Sequence, residues 1–112
     1  MNKFIILLSL SFMVFGCTNK KEEQSVYQIM AENDHVIIDV RTAEEYEESH
    51  IVDAINIPYD NIDENIDLDK NKIIFVYCKS GGRSKIAFDN LDALGYEVYD
   101  LGAFSGIDLP KE

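Results

Sequence analysis

Five consecutive residues, Ile73-Ile74-Phe75-Val76-Tyr77, are apolar, and all of them favour a β-strand over a helix. No polar residue alternates with them, so both faces of this strand must be covered. That calls for helices on either side of a sheet, and the rest of the chain supplies them. His35-Val36-Ile37-Ile38-Asp39-Val40 reads as a second buried strand, Ala54-Ile55-Asn56-Ile57 as a short one stopped by Pro58, and residues 97–101 as the last. Ser25 is a good N-cap for a short helix with Val26, Ile29 and Met30 on one face. Thr42 and Glu45 stand at the capping-box spacing, so a helix should start there and run to about Ser49. Ile62 and Ile66, four apart, predict a further helical turn or two. A helix over residues 84–94 places Ala87, Leu91 and Leu94 on one face, with Gly95 as its C-terminal cap. Strands alternating with helices make an α/β domain around a central, mainly parallel sheet flanked by helices. At 112 residues the chain has room for one such domain.

The N-terminus reads as an address. Met1-Asn2-Lys3 is a short positive start, and Phe4 to Phe15 is a mostly apolar run ended by Gly16-Cys17. A bilayer takes roughly 20 apolar residues to span, so the run is too short for a transmembrane helix. It has the length of a secretory signal core, roughly 7–15 residues. Val14-Phe15-Gly16-Cys17 resembles the bacterial lipoprotein signal, in which the cysteine is acylated and becomes the new N-terminus, although Phe15 is bulkier than is usual there. A plain signal peptide or an uncleaved anchor is the alternative. Residues 1–16 are thus expected to be a signal peptide and residues 17–24 a lipidated cysteine with a polar, flexible tether. Residues 25–112 form the domain. The chain is expected to be exported and held at a membrane by a lipid on Cys17, in the periplasm or on the outer face of the cell membrane.

Charge narrows the partners. The sequence has 21 Asp and Glu against 10 Lys and Arg, a formal charge of −11 that becomes −12 once residues 1–16, with Lys3, are removed. Such a surface repels nucleic acid and gains nothing from anionic headgroups. Only two cysteines are present. With Cys17 acylated, Cys78 is the sole remaining thiol, so no internal disulfide and no zinc site can form, and no cofactor is expected.

Chemistry concentrates in Cys78-Lys79-Ser80-Gly81-Gly82-Arg83-Ser84, between the most strand-like run and a helix. Sites in such sheets lie just beyond the carboxyl ends of the strands. A cysteine here meets the positive end of the next helix, and two glycines let several backbone N–H groups point at one centre. Lys79 and Arg83 add positive charge in an acidic chain. All of this favours thiolate over thiol and should lower the pKa of Cys78. Taken alone, a cysteine at a strand end is a small buried hydrophobe and a Gly-Gly pair is only a turn. Cysteine, cations, two glycines and a helix start occurring together argue for a thiolate in an anion cradle.

From about Val26 to Leu109 the chain resembles a single rhodanese-like domain. Asp39-Val40-Arg41 resembles the family's first signature, and Glu45-Tyr46 with His50-Ile51 follows at the family's spacing. Ala54-Ile55-Asn56-Ile57-Pro58 matches the next segment, residues 77–84 the active-site loop, and Gly95-Tyr96 with Val98, Leu101 and Gly102 the closing elements. The resemblance implies a sulfurtransferase. Cys78 as thiolate attacks the outer sulfur of an anionic donor such as thiosulfate, becomes a persulfide, and passes the sulfur to cyanide or a thiol, including that of a thioredoxin-like protein. Lys79, Ser80, Gly81, Gly82 and Arg83 would bind the anion, with Lys79 on the donor's sulfonate and Arg83 bracing the loop. Asp39 and Arg41 would support it, paired with the loop or with each other, unless they form only a surface ion pair. His50 is implied to be a structural hydrogen-bonder.

The six residues from Cys78 to Arg83 have the family's sulfur-transfer length, whereas related phosphatases use one residue more. Three departures stand out. Ser49 and Val52-Asp53 replace a frequent glycine and Pro-Gly, which is expected to alter only a turn. Ala103 replaces a second glycine. The chain also has no tryptophan, with Ile107 near that position, so the last segment is expected to pack less tightly. Two rivals remain open. One is a non-catalytic module or sulfur carrier of the same fold at the membrane surface. The other is a thiol redox protein, which the lack of a resolving cysteine disfavours.

Overall fold

The structure is a computed structural model that describes residues 25–112. The expected signal peptide, Cys17 and the expected tether to residue 24 lie outside the described residues. Helix α1 (Val26–Glu32) starts at Ser25, whose hydroxyl accepts from the Gln28 N–H. It leads into strand β1 (His35–Asp39), then α2 (Ala43–Glu48), β2 (Ile55–Asn56), β3 (Ile73–Cys78), α3 (Gly82–Ala93) and β4 (Val98–Ala103). Single 3₁₀ turns occupy Tyr59–Asn61 and Phe104–Gly106. The sheet runs in the order β2-β1-β3-β4 with every pairing parallel. Among the described residues no helix is long and apolar enough to cross a membrane.

All six residues of β3 are buried, and they divide by parity. Ile74, Val76 and Cys78 face a cluster completed by Ile38, Val40, Ala87 and Leu91. Ile73, Phe75 and Tyr77 face the other way, against Met30, Ile37, Ile51 and Ile107. Cys78 and Tyr77, neighbours in sequence, therefore serve opposite layers. The register Asp39↔Tyr77, Asp39↔Asn56 and Cys78↔Ala103 brings the carboxyl ends of all four strands to one edge.

Several boundaries differ from expectation. The helix after the cysteine begins at Gly82 rather than Ser84, because Gly81 turns the chain with φ +106° and leaves the next residue free to start it. The last strand runs to Ala103, with a register shift at Val76/Tyr77 that leaves Leu101 extra. Gly102 takes φ +83° there, and its N–H donates to the Asp100 carboxylate at 2.9 Å. Ile62 and Ile66 form no helix. The 3₁₀ turn ends before them, Ile62 is extended, and their shared face comes from both packing on the α3 side of the sheet.

The departures also resolve. Asp53 adopts φ +73°, the left-handed region that favours glycine, so this side chain stands in a conformation that costs an L-residue roughly 1 kcal/mol. At Ser49 it is the backbone carbonyl, which any residue would supply, that accepts from Arg41 at 2.6 Å. The closing segment is not loose. Ile107 is buried, and the Phe104 ring stacks on Tyr77 with centroids 5.6 Å apart. An aromatic three residues earlier fills the role expected of a tryptophan.

Candidate active site

Only Lys79-Ser80-Gly81 separate the end of β3 from the start of α3, so Cys78 is pinned between a buried strand and a helix N-terminus. Its side chain is essentially inaccessible, and the Gly81 N–H donates to Sγ at 3.0 Å. On the far side lies Ser84, fully buried one turn into α3, with its Oγ 3.5 Å from Sγ. Burial pushes the Cys78 thiol up, but the Ser84 hydroxyl and the N–H groups of Ser84, Gly81 and Ser80 outweigh it and hold the pKa below the ordinary cysteine value.

In the sequence Ser84 reads only as the last residue of the loop and the start of a helix, not as a partner of the sulfur. Its hydroxyl also donates to the Gly81 carbonyl at 3.2 Å. A hydroxyl has one proton to give. With the thiol protonated, S–H can donate to Ser84 while Ser84 donates to Gly81. Once the sulfur ionises, the Ser84 proton can turn to it.

The two loop cations play different parts. Arg83 reaches back to α2, where its guanidinium donates to Glu45 Oε1 at 2.9 Å and Oε2 at 3.2 Å. Glu45 is at the same time the capping-box acid of α2, accepting from the Thr42 N–H. One carboxylate thus starts a helix and ties the active-site loop to it. Arg83 is accordingly neutralised in place, and the charge expected of it near sulfur is spent on this pair. Lys79 is exposed and has no ion-pair or hydrogen-bond partner among the described residues.

The Arg83 guanidinium and the Thr42 N–H hold the Glu45 carboxyl down at about 2, from 4.5. A depressed acid stabilises the fold above its unfolded pKa and loses that contribution as pH falls through its folded one. Glu45→Gln should therefore be destabilised near neutral pH, by on the order of 1 kcal/mol for a pair about a quarter exposed. The gap from the native protein should close as pH falls from 4.5 to about 2. Urea denaturation across that range checks this, and a gap independent of pH would refute it.

Asp39 and Arg41 pair with each other rather than with the loop, and not on the surface. Asp39 is wholly buried and accepts from the Arg41 backbone N–H at 2.9 Å, from Nε at 2.9 Å and from NH2 at 2.7 Å. The Tyr77 hydroxyl donates to the same carboxylate at 2.9 Å and accepts from the Ile51 N–H at 3.0 Å. Burial and this bond to Asp39 push the Tyr77 hydroxyl well up. The guanidinium of Arg41 lies 4.4 Å over the Phe104 ring. His50 is a hydrogen-bonding strut, with Nδ1 2.7 Å from the Tyr46 carbonyl and Nε2 3.2 Å from the Glu112 carboxylate. The hydrogen bonds of Tyr77, the ring contacts of Phe104 and the bond from Arg83 to Glu45 are what the sequence did not reveal at this end of the sheet.

A cleft of about 350 Å³ opens beside the loop. It is lined by Arg41, Glu45, Glu48, Ser49, Lys79, Phe104 and Ser105. It is large enough for a small ligand.

The chain is similar to known proteins in sequence and fold. The family model described as a rhodanese-like domain matches residues 22–107. The chain is 40% identical over 78 residues to thiosulfate sulfurtransferase PspE of Escherichia coli, which covers 66% of this chain and 75% of that protein. It is 33% identical over 87 residues to adenylyltransferase and sulfurtransferase uba4 of Ogataea parapolymorpha, spanning 76% of this chain but only 22% of that far longer one. A solved rhodanese with anions from E. coli superposes with a TM-score of 0.65 at 38% identity, covering 70% of this chain and 96% of the other.

Proposed function

This chain belongs to the rhodanese-like domain family, and from that premise we propose that it is a sulfurtransferase of the thiosulfate type, working through a persulfide on Cys78. The observation that carries the proposal is the Cys78 sulfur itself. It is sunk at the end of a buried strand, 3.0 Å from the Gly81 N–H and 3.5 Å from the Ser84 hydroxyl, and its pKa is lowered.

The Cys78 thiolate attacks the outer sulfur of thiosulfate. A new S–S bond forms to Sγ, the bond from that sulfur to the sulfonate breaks, and sulfite leaves with the electron pair. The negative charge stays on the outer persulfide sulfur. That atom stands about 2 Å beyond Sγ, so the transferable sulfur is carried past a cysteine that is itself inaccessible. The Ser80, Gly81 and Ser84 amides stabilise charge that moves only a short way during the reaction, which is where preorganised dipoles are most effective. Lys79, the unpaired cation of the cleft, holds the sulfonate. Gly82 starts α3 close against the loop, and Arg83 braces the loop through Glu45. Asp39 and Arg41 hold the wall of the cleft through Ser49 and Phe104. A second nucleophile then removes the sulfur, so the kinetics are ping-pong.

The test is to treat the domain with thiosulfate and weigh it intact. Gain of one sulfur atom is expected. No gain would favour a non-catalytic binding module, and a mixed disulfide with added thiol would favour a redox role.

We also propose that the domain works outside the cytoplasm, tethered by a lipid on Cys17. This rests on the apolar run and Gly16-Cys17. Radiolabelled palmitate should enter the native chain and not Cys17→Ala, and equal labelling of both would refute the anchor.

A further inference from the structure

Four charged side chains line the cleft beside the Cys78 loop, and two are already committed. Arg41 is paired with Asp39, and Glu45 with Arg83. Glu48 and Lys79 remain. Both are exposed, and neither has a hydrogen-bond or ion-pair partner among the described residues. The cleft, which reaches the Cys78 loop through Lys79, therefore offers one free anion and one free cation.

Glu48 has no use in the first half of the reaction. Thiosulfate is a dianion, and a carboxylate in the wall of its site repels it. The same carboxylate suits a ligand that brings its own ammonium. We propose that the cleft selects its sulfur acceptor as a small zwitterionic thiol of the amino-acid type. Glu48 takes its ammonium and Lys79, freed when sulfite leaves, takes its carboxylate. The inference rests on the sulfurtransferase reading and names the acceptor for the same site. Size agrees with it. A cleft of about 350 Å³ holds a small thiol with room for solvent. The half-buried Phe104 ring supplies an apolar wall for the methylene that carries the sulfur.

The transfer balances without an oxidant or reductant. The acceptor thiolate forms an S–S bond to the outer sulfur of the Cys78 persulfide, the bond from that sulfur to Sγ breaks, and the electron pair returns to Sγ. The acceptor leaves as its own persulfide, and the cradle regains the thiolate it stabilises.

The experiment loads the domain with thiosulfate, confirms the gain of one sulfur by mass, and removes excess donor. Discharge is then timed with cysteine, cysteamine, 3-mercaptopropionate and 2-mercaptoethanol at matched thiolate concentrations. Cysteine should exceed 2-mercaptoethanol by about fivefold, the effect of one or two exposed ion pairs. Glu48→Gln should bring the ratios for cysteine and cysteamine down towards one, while Glu48→Asp keeps part of the preference. Glu48→Gln should also load faster from thiosulfate, a change of opposite sign that a merely structural role would not produce. A cysteine ratio near one overturns the proposal, as does a preference that survives Glu48→Gln or faster discharge by reduced thioredoxin. Failure to load at all refutes the sulfurtransferase reading instead and takes this inference with it.

Discussion

Replacing Cys78 by serine is expected to reduce sulfur transfer from thiosulfate to background, a loss of more than about 10³-fold. The physical reason is ionisation. The cradle lowers the thiol pKa and so favours thiolate, whereas a serine hydroxyl keeps its proton, so no attack on the donor sulfur begins. The fold should survive, because a hydroxyl can use the same Gly81 and Ser84 partners in the same volume. A circular dichroism melt near that of the native domain, alongside absent turnover, is the expected pair of results. Transfer well above background in a folded Cys78→Ser protein would mean that another group is the nucleophile.

The second large effect is on stability. Asp39→Ala should cost roughly 3–5 kcal/mol, because it strands a buried guanidinium and removes the partner of the Tyr77 hydroxyl. That is a large share of the roughly 5–15 kcal/mol that holds a domain together. Milder changes resolve it if the alanine variant does not fold. Asp39→Asn keeps the shape and loses the charge, and Tyr77→Phe keeps the ring and releases the Ile51 N–H at a cost of about 1–2 kcal/mol. Urea denaturation reads all three. An Asp39→Ala protein within about 1 kcal/mol of native would show that the buried pair does not hold this edge of the sheet.

Much of this architecture was legible because it follows local rules. The run Ile73–Tyr77 announces a strand covered on both faces, Ser25 and the Thr42/Glu45 pair announce helix starts, and a cysteine before two glycines and a helix announces an anion cradle. Ile62 and Ile66 misled, since spacing of four is helical only where the backbone can close its hydrogen bonds. Here the two residues instead reach the same cluster from an extended stretch.

By itself the sequence determined the fold class, the order of its elements and the position of Cys78 at a strand end, since propensity, capping and glycine placement act within a few residues. Only the tertiary structure decided which charges remain available. Arg83 finds Glu45 across 38 residues of chain, and Tyr77 finds Asp39 across another 38, because β1 lies beside β3 in the register Asp39↔Tyr77. Electrostatic pairing depends on distance in space, and a linear string of charges does not state which of them meet. Lys79 and Glu48 are left open to a ligand by neighbours that the sequence places far from their partners.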